Sequence, residues 1–196
     1  MEKLKNEIKD LYFKYHKEST YRHVYHVFQV ARILGKQYHL DIEKLEIAAL
    51  LHDISAIVSH DEMYFYSQQL YLDIDPSEEK YHFLLHQRIS KYIAYNYFDI
   101  HDQDILDAIE CHTTLKKDAN EYDKVIFLSD KLAWDQSGIP PYYQGLKKAI
   151  AISLDEECYY FMQYQFDHHQ ILMPHTWLLE AYHQLQRRIQ DEKNHC

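Results

Sequence analysis

Apolar residues return every three or four positions along the chain, the period of helices that turn one face to a core. This pattern predicts helices over about 2–16, 20–38, 42–52, 61–72, 77–96, 102–113, 119–133, 140–152, 154–166 and 175–190. Asp41, Ser77 and Asp102 are placed to cap the third, fifth and sixth of these. Ser153 and Glu156 have capping-box spacing, and Pro174 suits the first turn of the last helix. Asn-Gly and Asp-Gly hairpin signals are absent, and glycine is confined to positions 35, 138 and 145. The fold class this predicts is all-α, a helical bundle in one domain over 1–196 with no internal repeat or low-complexity linker.

Several apolar stripes are interrupted by ligand-type residues. His23 shares a face with Val27, Val30 or Ala31, and Leu34, and the stripe of Leu45, Ala48 and Ala49 leads to His52 and Asp53. His86 aligns with Ile89 and Ile93, His112 with Ile105, Ala108 and Ile109, and Asp130 with Ile126 and Phe127. A single inward histidine is usually a satisfied core residue. Ionisable groups on several helices of one core are costly unless they are paired or hold a metal. Four histidines and two aspartates form a nitrogen-and-oxygen set suited to first-row divalent metals, and helical bundles build such sites from inward side chains. Two metals sharing one carboxylate would make a clamp for phosphoryl chemistry.

Composition narrows the partners. The net charge of -10 argues against a nucleic-acid-coating surface, although bound metals could supply local positive charge for a small phosphorylated substrate. The three cysteines, Cys111, Cys158 and Cys196, include no CxxC and read as reduced thiols of a cytoplasmic protein. The amphipathic start of the chain lacks an apolar signal core, and no segment approaches a membrane span. Most of the 15 histidines, including His16, His39, His60 and His101, sit among polar neighbours and read as surface residues.

The ordered set His23, His52-Asp53 and Asp130 resembles the H…HD…D signature of the HD-domain phosphohydrolases, with His86 and His112 resembling the extra pair of a binuclear site. The segments HVYHVFQVA, LEIAALLHD, LLHQRISKYI, ILDAIECHTT and DKVIFLSDKL, over about 20–133, are most similar to the YqeK-type symmetrical diadenosine tetraphosphate hydrolases. The resemblance implies an HD-domain bundle around two divalent metals, iron foremost, with manganese or zinc fitting the same ligands. His23, His52, Asp53 and Asp130 would hold one metal, and Asp53 would bridge to a second held by His86 and His112. His26, one turn from His23, is the alternative first ligand. His52 and Asp53 would be the catalytic centre, at which a metal-activated hydroxide cleaves diadenosine tetraphosphate to two ADP.

Thr113 and Thr114 would lie beside the site, to contact phosphate or to cap a helix. The chain departs from the family pattern at Ala56, where a lysine is usual, and in HQRISK and KLAWDQSG. Arg88 and Lys131, or Arg22, Lys116 and Lys117, are the candidates to replace the lost cations. Trp134 and Tyr142 could stack on a base or anchor a loop. The alternatives are an HD hydrolase of a nucleoside monophosphate or cyclic dinucleotide, and a non-catalytic nucleotide sensor. Residues 140–196 carry no assigned motif, and the helices over about 140–190 would complete the bundle or make a homodimer contact.

Overall fold

The structure is a computed structural model that describes residues 1–134, 138–149 and 152–195. Its helices are α1 (Glu2–Lys14), α2 (Glu18–Gln37), α3 (Ile42–Leu51), α4 (His60–Gln69), α5 (Pro76–Lys80), α6 (His86–Asn96), α7 (Gln103–Glu110), α8 (Glu121–Leu132), α9 (Tyr143–Ala149), α10 (Leu154–Asp167) and α11 (Thr176–His195). Tight 3-10 turns occupy Ile54–Ile57 and His82–Leu85. No strand occurs among the described residues, and the fold is all-α.

Side-chain caps set the helix starts. Asp41 accepts from Glu43 N at 2.9 Å, and Asp102 accepts from Asp104 N and Ile105 N at 3.0 and 3.3 Å, as the sequence predicts. Ser153 accepts from Glu156 N at 3.1 Å, while the Glu156 carboxylate pairs with Lys193 at 3.0 Å. Two caps are corrected. Asp75, not Ser77, starts α5, in a reciprocal box with Glu78 and with Pro76 in the first turn. Pro174 lies outside α11, whose first turn is capped by His175 Nδ1 accepting from Trp177 N at 3.0 Å.

The predicted helix over 77–96 is three pieces. Tyr81 leaves helical geometry (φ -127, ψ 81), residues 82–85 tighten to a 3-10 turn, and α6 begins at His86. Several helix ends also fall short of the periodicity because non-glycine residues take positive φ there. His16 and His39, both at φ 56, are examples, and the following amides, Lys17 N and Leu40 N, bond back to Tyr12 O and Gly35 O.

α2 packs on α3 and α8, α3 on α7, and α7 on both α6 and α8. The α2–α3 contact is close: a Cβ on Gly35 would stand 2.3 Å from Leu45 Cδ1. α10 lies against α8 and carries α9 and α11 on its other sides. Its Leu154, Cys158, Phe161 and Met162 share one core with Val27, Leu51 and Phe127, as do Ala181 and Leu185 of α11. The C-terminal helices therefore help to build the core behind α8. Cys111 and Cys158 are buried free thiols, and Cys196 lies outside the described residues. None of the described helices is long and apolar enough to cross a membrane.

Candidate metal centre

The six predicted ligands converge where α2, α3, α6, α7 and α8 meet. His23 faces inward from α2 with Val27 and Ala31 on its stripe, while His26 is exposed, so the packing selects His23. His52 follows the last turn of α3 and is fully buried. His86 opens α6, His112 sits in the turn after α7, and Asp130 lies in the last turn of α8. The ligand atoms of His23, His52 and Asp130 form one close group, and those of His52, Asp53 and His112 form another.

Backbone carbonyls set the tautomers. The Nδ1 atoms of His52, His86 and His112 donate to Ala49 O, Phe83 O and Ile109 O at 2.7, 2.6 and 2.8 Å. Each carbonyl lies three residues back along the chain, where a helical or 3-10 turn puts it beside the ring. With Nδ1 protonated, each Nε2 presents a lone pair. His86 Nε2 and His112 Nε2 stand 2.9 Å apart, so two lone pairs face each other with no proton of their own to share. His52 Nε2 is buried and makes no hydrogen bond.

The remaining distances decide what this set of donors fits. His52 Nε2 is 3.5 Å from Asp53 Oδ2 and 3.8 Å from Asp130 Oδ1. Asp53 Oδ1 is 3.5 Å from His112 Nε2 and 3.6 Å from His86 Nε2. These separations are too long for good hydrogen bonds. Ligand bonds of about 2.1 Å, however, place neighbouring donors roughly 3.0–3.4 Å apart around one ion. An orphaned Nε2, two opposed lone pairs and gaps a few tenths of an ångström beyond that edge length are therefore a set that divalent cations would complete. His23 Nε2 lies closer to Asp130 Oδ1, at 2.8 Å.

Asp53 turns its two oxygens to different partners, Oδ2 toward His52 and Oδ1 toward the His86–His112 pair. Burial pushes its carboxyl pKa up, but His52, His112 and His86 together hold it well below the usual carboxylate range. Asp130 behaves alike: burial opposes ionisation, and Lys131, His23, His52 and His112 outweigh it. His112 is lowered to about 4, first by burial and then by His52 and His86, with Asp53 opposing. It is a neutral imidazole near neutral pH.

The predicted substrate contacts divide. Thr113 Oγ1 lies 3.0 Å from His86 Nε2, at the cluster. Thr114 is buried and bonds Gln87 Nε2 at 3.1 Å. Lys131 Nζ donates to Asp130 Oδ2 at 2.6 Å and to His112 O at 3.1 Å. Arg88 is turned elsewhere: its guanidinium donates to Asp73 O and Glu78 Oε2 at 2.6 and 2.8 Å, two residues round α6 from His86. Lys116 is held by Asp107 at 3.0 Å, and Arg22 and Lys117 are exposed. Tyr142 is an anchor, buried against Phe161, with its hydroxyl donating to Lys131 O at 3.0 Å. Trp134 meets Tyr142 edge-on.

Two residues of the site escape the stripe pattern. Gln87 is fully buried, and its Oε1 accepts from Thr113 N at 3.0 Å, which fixes the turn that carries His112 and Thr113. Tyr12 of α1 is buried with its hydroxyl unbonded, and burial followed by the Asp53 charge raises its pKa. Gln87 adjoins His86 in sequence, which is a usable signal. Tyr12 lies on the core stripe of α1 and gives none.

The HD-domain family model matches residues 20–135. An uncharacterized protein from the pepC 5′ region of Lactococcus lactis subsp. cremoris is 33% identical over 143 residues, 73% of each chain. A symmetrical bis(5′-nucleosyl)-tetraphosphatase of Halalkalibacterium halodurans is 32% identical over 116 residues, 58% of this chain and 60% of that one. The crystal structure of a predicted HD superfamily hydrolase involved in NAD metabolism from Clostridium acetobutylicum superposes with a TM-score of 0.82 at 24% identity, covering 93% of this chain and 97% of that one. The matched span includes every ligand-type residue of the cluster, and the chain belongs to the HD-domain family.

Proposed function

We propose that this protein is a metal-dependent phosphohydrolase that cleaves diadenosine tetraphosphate symmetrically to two ADP. The observation that carries the reading is Asp53, whose two oxygens face separate histidine groups across a part-buried cluster with open donor positions. The substrate follows from relatives bearing that activity in their names, matched over somewhat more than half of each chain.

His23, His52, Asp53 and Asp130 would hold one divalent ion, and Asp53, His86 and His112 a second, with iron foremost and manganese or zinc as alternatives. Bound there, the ions would supply a water made acidic enough to act as nucleophile and positive charge for the phosphate oxygens. Water oxygen bonds to an inner phosphorus and the central P–O–P bridge breaks, leaving each half as ADP. The chain's own groups orient this chemistry. Backbone carbonyls hold three imidazoles with Nε2 inward. Gln87 fixes the Thr113 turn, and Thr113 Oγ1 presents a hydroxyl to phosphate at the edge of the cluster. Lys131 brings an ammonium to the cluster, in the role that Ala56 cannot fill.

A second reading rests on that same lysine. Of the basic residues singled out from the sequence, Lys131 alone bonds to the cluster, which suits a substrate with fewer phosphates, such as a nucleoside monophosphate, or a cyclic dinucleotide. The test is anaerobic incubation with Fe(II) or Mn(II), chromatographic resolution of products, and Asp53→Ala as the blank. ADP as sole product from diadenosine tetraphosphate supports the first reading. ATP with AMP, or no turnover by metal-loaded protein, overturns it, and turnover of a monophosphate or cyclic dinucleotide instead supports the second.

A further inference from the structure

Next to the cluster lies a second feature that the metal chemistry does not use. A cavity of about 250 Å³ opens between the 3-10 turn at 82–85, the Thr113–Thr114 turn, and the segment joining α10 to α11. Thr113 belongs to both places: its hydroxyl is 3.0 Å from His86 Nε2, and it forms part of the cavity wall. A group in this cavity is therefore one side chain away from anything at the cluster.

The lining describes the occupant. Tyr81, Phe83 and Leu178 supply flat and aliphatic surface, and Phe83 is 48% exposed at the mouth. Gln165 and Gln170 line the cavity, and their side-chain amides make no hydrogen bond to another described residue. Among the described residues no lysine or arginine lines it, so it is not a phosphate site. His175 is already committed, accepting from Trp177 N and facing Glu78 at 3.5 Å. Aromatic side chains beside free carboxamides are the chemistry that receives a nucleobase. Rings stack on the aromatics, and a glutamine amide matches the adjacent donor and acceptor of adenine N6 and N7. Size selects one base. Sites for drug-sized ligands run to roughly 300–1,000 Å³, so this cavity takes a single ring system and leaves the rest of a dinucleotide outside.

We propose that this cavity is the nucleobase subsite of the cluster, taking one adenine of a nucleotide whose phosphates lie against His86, Thr113 and Lys131. It rests on the phosphohydrolase reading above. It also assigns the C-terminal segment a part in recognition, since Gln165, Gln170 and Leu178 all come from beyond the residues that carry the metal-ligand pattern.

The test separates the two. Leu178→Trp fills the cavity, and Gln165→Ala with Gln170→Ala removes the amides without touching the core. Both variants and the wild type, metal-loaded, are assayed on diadenosine tetraphosphate and on its diguanosine counterpart, and titrated with adenosine alone by calorimetry. The expected result is a KM for the diadenosine substrate raised about tenfold or more by Leu178→Trp with kcat nearly unchanged, because the binding lost is shared equally by the ground and transition states. Adenosine binding should disappear in the same variant, and the glutamine variant should lose preference for adenine over guanine. If both variants, with melting temperatures near wild type, keep wild-type KM and adenosine affinity, the subsite is overturned while the hydrolase reading stands. If the wild type turns over nothing but binds adenosine in a Leu178→Trp-sensitive way, the subsite stands and the hydrolase reading fails.

Discussion

The candidate metal centre holds half-buried carboxylates and the interior of α10 a fully buried one, and they treat them in opposite ways. Asp53 and Asp130 are surrounded by histidines and Lys131, and their pKa values fall despite burial. Glu157, fully buried on α10, has both oxygens without a hydrogen bond, and burial alone pushes it up to about 8. Asp123 lies between them. Burial raises it to about 6, against Lys116 and the amide of Asn120, with Asp107 and Asp104 adding to the rise. The set shows that burial sets the cost of a charge and the neighbours decide whether the charge stays. Where cations or histidines surround it, the carboxylate keeps its charge, and at the candidate centre those neighbours include donors that suit a metal ion. Where they are not, the carboxyl folds in as a neutral acid.

The sharpest break of this comparison is Asp53→Ala. Removing the carboxylate that both histidine groups face is expected to cut turnover by about a thousandfold or more and to lower the bound metal per chain, read by elemental analysis beside the assay. Normal metal content with normal turnover would make Asp53 one more buried acid.

Glu157→Gln acts on stability instead. The folded pKa of about 8 lies above the ordinary 4.5, so the native state binds the extra proton between those values. The benefit is complete below about pH 4.5 and fades as pH rises to about 8. At roughly 1.4 kcal/mol per unit, the substitution should stabilise the protein by a few kcal/mol at alkaline pH and little at acid pH, seen in denaturant melts across that range. An unchanged pH profile would show that Glu157 has an unrecognised partner. Asp123→Asn should produce the same flattening, smaller and confined to about pH 4–6, because Lys116 already offsets part of the cost.

The smallest effect is expected from Lys131→Ala. It leaves all six proposed ligands in place and removes one ammonium, so about a tenfold loss in kcat/KM with normal metal content would mark a phosphate contact. A matching loss of metal would mean instead that Lys131 serves the fold of the cluster by holding Asp130.

Most of the site could be read before the structure, because its chemistry needs particular side chains at helical spacing on apolar stripes. His23, His52, Asp53, His86, His112 and Asp130 stand out there as anomalies. Arg88 misleads for the same reason: as a lone cation near His86 it looks available, and only the packing of α5 shows it bound to Glu78. Gln87 and Tyr12 are silent, since an amide and an aromatic on a buried face are ordinary.

By itself, the sequence determined the helical class, the order of the ligand-type residues and most of the caps, because periodicity, side-chain type and cap residues act over a few neighbouring positions. Tertiary packing decided the rest. It broke the helix expected over 77–96 so that a 3-10 turn could aim His86, chose His23 over His26, and committed Arg88 to α5 and Tyr142 to the core. It also brought Gln165, Gln170 and Leu178 to the edge of a site tens of residues away in the chain. These outcomes depend on which surfaces meet across long loops, and no local pattern encodes that meeting.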